Sequence, residues 1–283
     1  MASVKKAKAS ASKKALRFRA ETVTAAPRDL SKGVIVVLSG GGFDGMNPPE
    51  VRARMDRYID DVNADAYVQA NTGGLGLKYK VLPGQTTKHL HQTKWRQICS
   101  ALNLLQASPL ILVGHSNGGA AVVDLARCLN SQGKAVDLLF TCDSVLTLDD
   151  NGDVNKAPPN VKLNFNPYVI PTLAWILAPF PIGKPNHRQI DGSMDDILNI
   201  GLAYNLGGAF AHRNAFYEIA GGDTQGSGFK RPNLLLDVTL AVLRGETNYN
   251  IIHNAVAPLQ VLATKSHLVI KLATTNFTQT LNP

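Results

Sequence analysis

The sequence predicts an α/β protein with a mostly parallel central sheet and helices on both faces. Three observations point there. Apolar, β-branched stretches such as "GVIVVL" (33–38) and "PLILV" (109–113) run unbroken, as strands covered on both faces do. These runs end in glycine-rich corners, "SGGG" (39–42) and "GHSNGG" (114–119). Segments of helical spacing separate them, and alternation of strand and helix is the pattern of a parallel sheet.

The elements follow in chain order. After a Pro-containing linker (25–32), "GVIVVLSGGG" reads as a buried strand feeding a tight loop. "NPPEVRARMDRYIDD" (48–62) reads as a helix with prolines near its start, where a missing N–H costs nothing. "KYKVLPG" (78–84) is a short strand stopped by Pro-Gly. "TKWRQICSALNLLQA" (93–107) sets Trp95, Ile98, Cys99, Leu102 and Leu105 at helical spacing. Residues 109–113 form the second continuous strand, and 118–129 a helix of small and aliphatic residues. Strands are expected at 135–143, 161–168 and 197–205. "RPNLLLDVTLAVLRG" (231–245) is an amphipathic helix ending at Arg244 and Gly245. The end of the chain, "HLVIKLATTNFTQTL", reads as an added strand or an interaction tail.

Three regions result. Residues 1–32 are a basic arm and linker, expected to be disordered. Residues 33–245 form the main domain, and 246–283 are a C-terminal extension. The chain has 283 residues and a formal charge of +8. Lys5, Lys6, Lys8, Lys13, Lys14, Arg17 and Arg19 fall within residues 1–20, which hold no acid. Taking these seven away leaves +1 for the rest, so the basic character belongs to the arm. The body shows no composition-level sign of a nucleic-acid-binding fold. The arm is either a solvated extension or an attachment to an anionic surface, membrane or nucleic acid. It lacks the apolar core of a secretory signal, and a cytoplasmic location is expected. Cys99, Cys128 and Cys142 are an odd number, far apart and in apolar surroundings; they read as buried free thiols.

The chemistry concentrates in "ILVGHSNGGAAVV" (111–123). Gly114-His115-Ser116-Asn117-Gly118 fits G-x-S-x-G, with an apolar strand before it and a small-residue helix after it. A nucleophilic serine must stand above the sheet rather than pack into it. A sharp strand-to-helix corner does this, and the flanking glycines remove the Cβ atoms that would clash. The helix N-terminus adds N–H groups and a positive dipole end beside the reacting carbon.

On these residues the chain resembles the α/β-hydrolase superfamily, and within it the lipase- and esterase-like serine hydrolases. The resemblance spans about 33–245 and is supported by "VVLSGGGFDG" (36–45), which looks like that family's oxyanion loop. It implies Ser116 as nucleophile and a backbone N–H of Asn117 as one oxyanion donor. The second donor is expected from Gly42 or Phe43. The acid follows the nucleophile in this family, and Asp143 at the end of "FTCD" is the choice. Asp149, Asp150 and Asp191 are fallbacks. The base follows the acid, which leaves His187, His212, His253 and His267. His212, in "GGAFAHRNAF" about twenty residues before the last helix, sits where the family keeps its base, with His187 as the fallback. No cofactor is implied.

The expected activity is cleavage of carboxylic esters, lipid esters among them, through an acyl-enzyme. The substrate is then an acyl-ester small molecule or lipid. The alternatives are acyl transfer or thioester cleavage on the same triad, and a non-catalytic binding or scaffold protein. The apolar segment 168–183, with Trp175, Ile176, Leu177 and Phe180, is core under a Pro-shaped loop or the wall of an acyl pocket. Other signals are weaker. "LDDNGDVN" (148–155) lacks the Gly and Glu of a calcium loop. His89 and His91 have no nearby metal-ligand partner. "TGGLGL" (72–77) lacks the Lys of a phosphate loop. Asn276-Phe277-Thr278 is a glycosylation sequon by pattern only.

Overall fold

The computed structural model describes residues 27–40, 49–82, 88–144, 157–169, 197–202, 215–217, 219–221, 233–246, 261–264 and 267–270. Its centre is an eight-stranded sheet of β1 (Val34–Leu38), β2 (Lys78–Leu82), β3 (Leu110–His115), β4 (Leu138–Cys142), β5 (Asn164–Val169), β6 (Ile197–Leu202), β7 (Val261–Thr264) and β8 (His267–Ile270). The order across the sheet is β2-β1-β3-β4-β5-β6-β8-β7. Every neighbouring pair is parallel except β7 with β8. The helices are α1 (Pro49–Ala64), α2 (Ala66–Asn71), α3 (Lys88–Leu104), α4 (Asn117–Ser131) and, in this numbering, α5 (Leu234–Leu243). The fold is α/β, with the mostly parallel sheet that the apolar runs predict.

Strand side chains alternate between two cores, as the period of two requires. Ile35, Val37, Ile111, Val113, Leu138, Phe140 and Phe165 face one cluster. Val51, Met55, Tyr58, Ile59 and Val62 of α1 and Leu235 and Val238 of α5 complete it. Val34, Val36, Leu38, Leu110, Leu112 and Leu139 face the other, under Ile98 and Leu102 of α3 and Val122, Leu125 and Leu129 of α4. Two-sided burial is why β1, β3 and β4 read as nearly unbroken apolar runs, whereas β5 alternates Asn164, Phe165 and Asn166. Deep in the first core the Tyr58 hydroxyl bonds Thr239 Oγ1 at 2.8 Å, tying α1 to α5.

Local signals set the helix ends. Asp65 caps α2, its carboxylate accepting the N–H groups of Tyr67 and Val68. α3 begins at Lys88, several residues ahead of the expected start, and α2 was not foreseen at all. The segment beyond 245 contributes β7 and β8 to the sheet. Among the described residues no helix is long and apolar enough to cross a membrane.

The cysteines depart from expectation. Cys99 of α3 and Cys128 of α4 form a disulfide, with Cα atoms 6.3 Å apart. The two helices lie side by side on one sheet face, a proximity that 29 residues of separation conceal. Cys142 is the buried free thiol.

The segment before β1 is clasped to the N-terminal edge of the sheet. The Arg28 guanidinium donates to Asp137 and to the Val242 carbonyl. The Asp137 carboxylate also accepts from the Leu110 N–H at 2.8 Å and from Lys162 at 2.9 Å. One buried acid thus joins the entry segment, β3, the start of β4 and the chain just before β5, and Arg28 carries the link on to the end of α5.

Candidate active site

The strand order fixes where a site forms. From β1 the chain crosses to β2 on one side, and from β3 it crosses to β4 on the other. The loops leaving the C-terminal ends of β1 and β3 therefore diverge and open a crevice, the usual binding place in a parallel sheet. β1 ends in Ser39-Gly40, and β3 ends at the Ser116 corner.

Ser116 sits between β3 and α4 at φ 57°, ψ −128°. A non-glycine residue at positive φ is strained by about 1–3 kcal/mol and persists only where the surroundings enforce it. The surroundings here are explicit. The Ser116 N–H donates to the Cys142 carbonyl at 3.0 Å, and the Ser116 carbonyl accepts from Gly119 N–H at 2.9 Å. The side chain makes no capping bond to α4 and keeps 9% of its surface exposed. Asn117 is the first residue of α4. Its N–H is among the four at a helix start that have no acceptor within the helix.

The glycines are set by close approach. A Cβ on Gly114 would lie 2.3 Å from the Gly118 carbonyl oxygen, and one on Gly118 would lie 1.9 Å from that of Leu38. A Cβ on Gly40 would meet Ser116 Cβ at 2.3 Å and its Oγ at 3.0 Å. The chain leaving β1 therefore runs directly over the serine. The importance of Gly40 was not drawn from the sequence, although the "SGGG" run contains the signal.

Asp143 follows β4 at φ 42° and is fully buried, with its N–H donating to the Pro167 carbonyl at 2.8 Å. The preceding residue, Cys142, accepts the Ser116 N–H, so the chain at Asp143 adjoins the corner. Burial, and then the neighbouring Asp143 charge, push the Cys142 thiol well above its ordinary range. It stays protonated. Ser144 packs against the first turn of α4, where a Cβ on Gly119 would lie 2.2 Å from its Oγ. Thr141 Oγ1 donates to Asn166 Oδ1 at 2.9 Å, bracing β4 to β5 below Asp143.

His115 is buried, and its ring lies 5.5 Å from that of Phe216. Phe216 belongs to a helical stretch at 215–217 packed in the core with α1 and α5. This contact was not foreseen. His267 begins β8, which β4, β5 and β6 separate from β3. Four strand spacings put its backbone roughly 19 Å from the serine strand, out of bonding reach.

No family model and no curated protein matches the chain. Among solved structures it is similar to "RedJ with PEG molecule bound in the active site", at 15% identity over 71% of this chain and 97% of that one, with a TM-score of 0.36. It is also similar to "RedJ-Thioesterase from the Prodiginine biosynthetic pathway in Streptomyces coelicolor", at 16% identity over 73% and 97%, with a TM-score of 0.34.

Of the residues named from sequence, Ser116, Asn117 and Asp143 are brought to one edge of the sheet. His212, His187, Gly42, Phe43, Trp175, Ile176, Leu177 and Phe180 lie outside the described residues, as do residues 1–26, the fallback acids Asp149, Asp150 and Asp191, and the loop 148–155.

Proposed function

We propose that the chain is a serine hydrolase that cleaves carboxylic esters through Ser116, with Asp143 as the acid and His212 as the base. The observation that carries this is the Ser116 backbone, held at positive φ beside the crevice where the strand order reverses. A fold keeps such a strained non-glycine residue where its side chain has work to do.

Two contacts support the partners. The Cys142 carbonyl holds the Ser116 N–H, which keeps the adjacent Asp143 at the same edge. Phe216 packs on His115, next to the serine. His212 is four residues upstream of Phe216, so the chain between them spans at most ~14 Å even when fully extended. No such tether applies to His187, which is why His212 is preferred.

In this reading His212 takes the Ser116 proton as Oγ attacks the acyl carbonyl. Asp143 fixes the imidazole tautomer and stabilises the cation that forms. The oxyanion is met by the Asn117 N–H and by a second N–H from Gly42 or Phe43, in the loop that starts over the serine at Gly40. Each donor lowers the barrier by about 3 kcal/mol. His212 then protonates the leaving alcohol, and water releases the acyl group. Trp175, Ile176, Leu177 and Phe180 form the acyl wall.

The test is labelling of the native protein with a fluorophosphonate, alongside turnover of p-nitrophenyl esters of increasing chain length. Labelling and turnover that both vanish in Ser116→Ala support the reading. A native protein that neither labels nor turns over any ester is a binding or scaffold protein on this fold.

A further inference from the structure

The opposite, N-terminal edge of the sheet carries a surface that the proposed chemistry does not use. The turn 72–77, "TGGLGL", places Gly73, Gly74 and Gly76 at φ 66°, 81° and 70° and leaves Leu75 92% exposed. A Cβ on Gly73 or Gly74 would meet nothing within 4 Å, so the tip of the turn stands clear of the body, while its base is held to α1 by the Leu77 N–H donating to Asn63 at 2.6 Å. At the end of α3 and just beyond it, Leu104 and Leu105 are 84% and 50% exposed, and Tyr79 on the outer strand β2 is 54% exposed. Single exposed leucines are ordinary. Here the four large apolar side chains exposed among the described residues all lie towards one edge.

Backbone contacts join these segments. The Lys78 N–H donates to Gly33, the Ser108 N–H to Lys32 and the Leu30 N–H to Asn71. A Cβ on Gly33 would touch both Leu77 and Pro109. The entry segment at 27–32 is clasped to the same edge through Arg28, so the chain that follows the basic residues 1–20 in sequence enters the body there. Lys32 and Lys78 are exposed beside the leucines. Of the acids near this edge, Asp137 is paired with Arg28 and Lys162 and Asp65 with Arg244, and Asp29 accepts the Ser31 N–H; Asp60, one turn before the Asn63 that accepts the Leu77 N–H, is exposed.

We propose that this edge docks on an anionic lipid surface, with Leu75 and Leu104 entering the acyl boundary and the basic segment meeting the headgroup phosphates. Nucleic acid would engage the same cations but gain nothing from protruding leucines. A lipid interface uses both. Ser116 lies at the far end of the strands, so it faces away from the bilayer and takes its substrate from solution.

The experiment is co-sedimentation of the full chain with phosphatidylcholine vesicles, with and without phosphatidylserine, at low and high salt. The expected result is partitioning that requires phosphatidylserine and weakens with salt. The double substitution Leu75→Ser with Leu104→Ser should weaken it at least ~10-fold, and removal of residues 1–20 should sharply reduce its salt dependence, leaving the share carried by Lys32 and Lys78. Both leucines are exposed and remote from Ser116, so melting temperature and ester turnover should not change. The proposal is overturned if phosphatidylserine vesicles do not retain the protein, or if the double variant partitions like the wild type. It is equally overturned if light scattering shows the leucines holding two copies together without affecting partitioning, or if duplex DNA competes with the vesicles and binds the double variant undiminished.

Discussion

The rings of His115 and Phe216 pack at 5.5 Å with their planes tilted 46°, and both residues are buried. The residue before the proposed nucleophile is therefore fixed against the segment that follows the proposed base. Phe216→Ala should cost about 3–5 kcal/mol of stability. Phe216→Leu should retain most of the fold while kcat falls and KM changes little. Urea unfolding beside steady-state kinetics separates the two effects. A leucine variant with full kcat would show that the contact only fills the core.

Ser116 tests strain directly. At φ 57° the backbone suits glycine better than any other residue. Ser116→Gly should raise stability by about 1 kcal/mol while abolishing turnover. Ser116→Ala, which keeps a Cβ at the same φ, should lose turnover without that gain. Thermal melts of the two variants side by side decide it.

Gly118 and Gly40 should separate packing from chemistry. A Cβ at Gly118 would press on the β1 backbone, which cannot yield cheaply. Gly118→Ala should cost about 3 kcal/mol. At Gly40 the Cβ would press on the Ser116 side chain instead, so Gly40→Ala should cost turnover out of proportion to stability. Equal losses in both measurements would rule out a special closeness of Gly40 to the reaction.

Much of the architecture was legible because burial on two faces writes strands as unbroken apolar runs. β1, β3 and β4 could hardly be read otherwise, and the corner after β3 carries its own glycine signature. The six-residue α2 was missed because one turn and a half offers no periodicity to detect. β8 opens the Thr-rich stretch whose pattern suits either a strand or a tail, and β7, just before that stretch, was not foreseen. The Cys99–Cys128 bond depends on two helices lying side by side, which no local pattern encodes. The glycine run 40–42 was legible, but what singles out Gly40 within it is the Ser116 side chain beneath.

The Asp137 clasp makes a pH prediction. Burial raises its carboxyl pKa, but hydrogen bonds from Arg28, the Leu110 N–H and Lys162 outweigh that and hold it below the ordinary 3.8. An acid depressed on folding stabilises the native state fully above its unfolded pKa. That contribution is lost as pH falls through the lower, folded value. The wild type should therefore lose stability below about pH 4. Asp137→Asn should be less stable at neutral pH by about 3 kcal/mol and should lack this part of the acid dependence. Urea midpoints across the acid range would show the two curves converging as pH falls; parallel curves would count against the clasp.

The cystine between α3 and α4 makes the protein's whereabouts a structural variable. The helix that begins at the reactive corner is covalently moored to its neighbour only where thiols are kept oxidised. In a glutathione-rich interior the same two positions would be a pair of sulfhydryls, and α4 would rest on packing alone. Purified from a reducing and from an oxidising host, one polypeptide would then arrive as two species of different ruggedness.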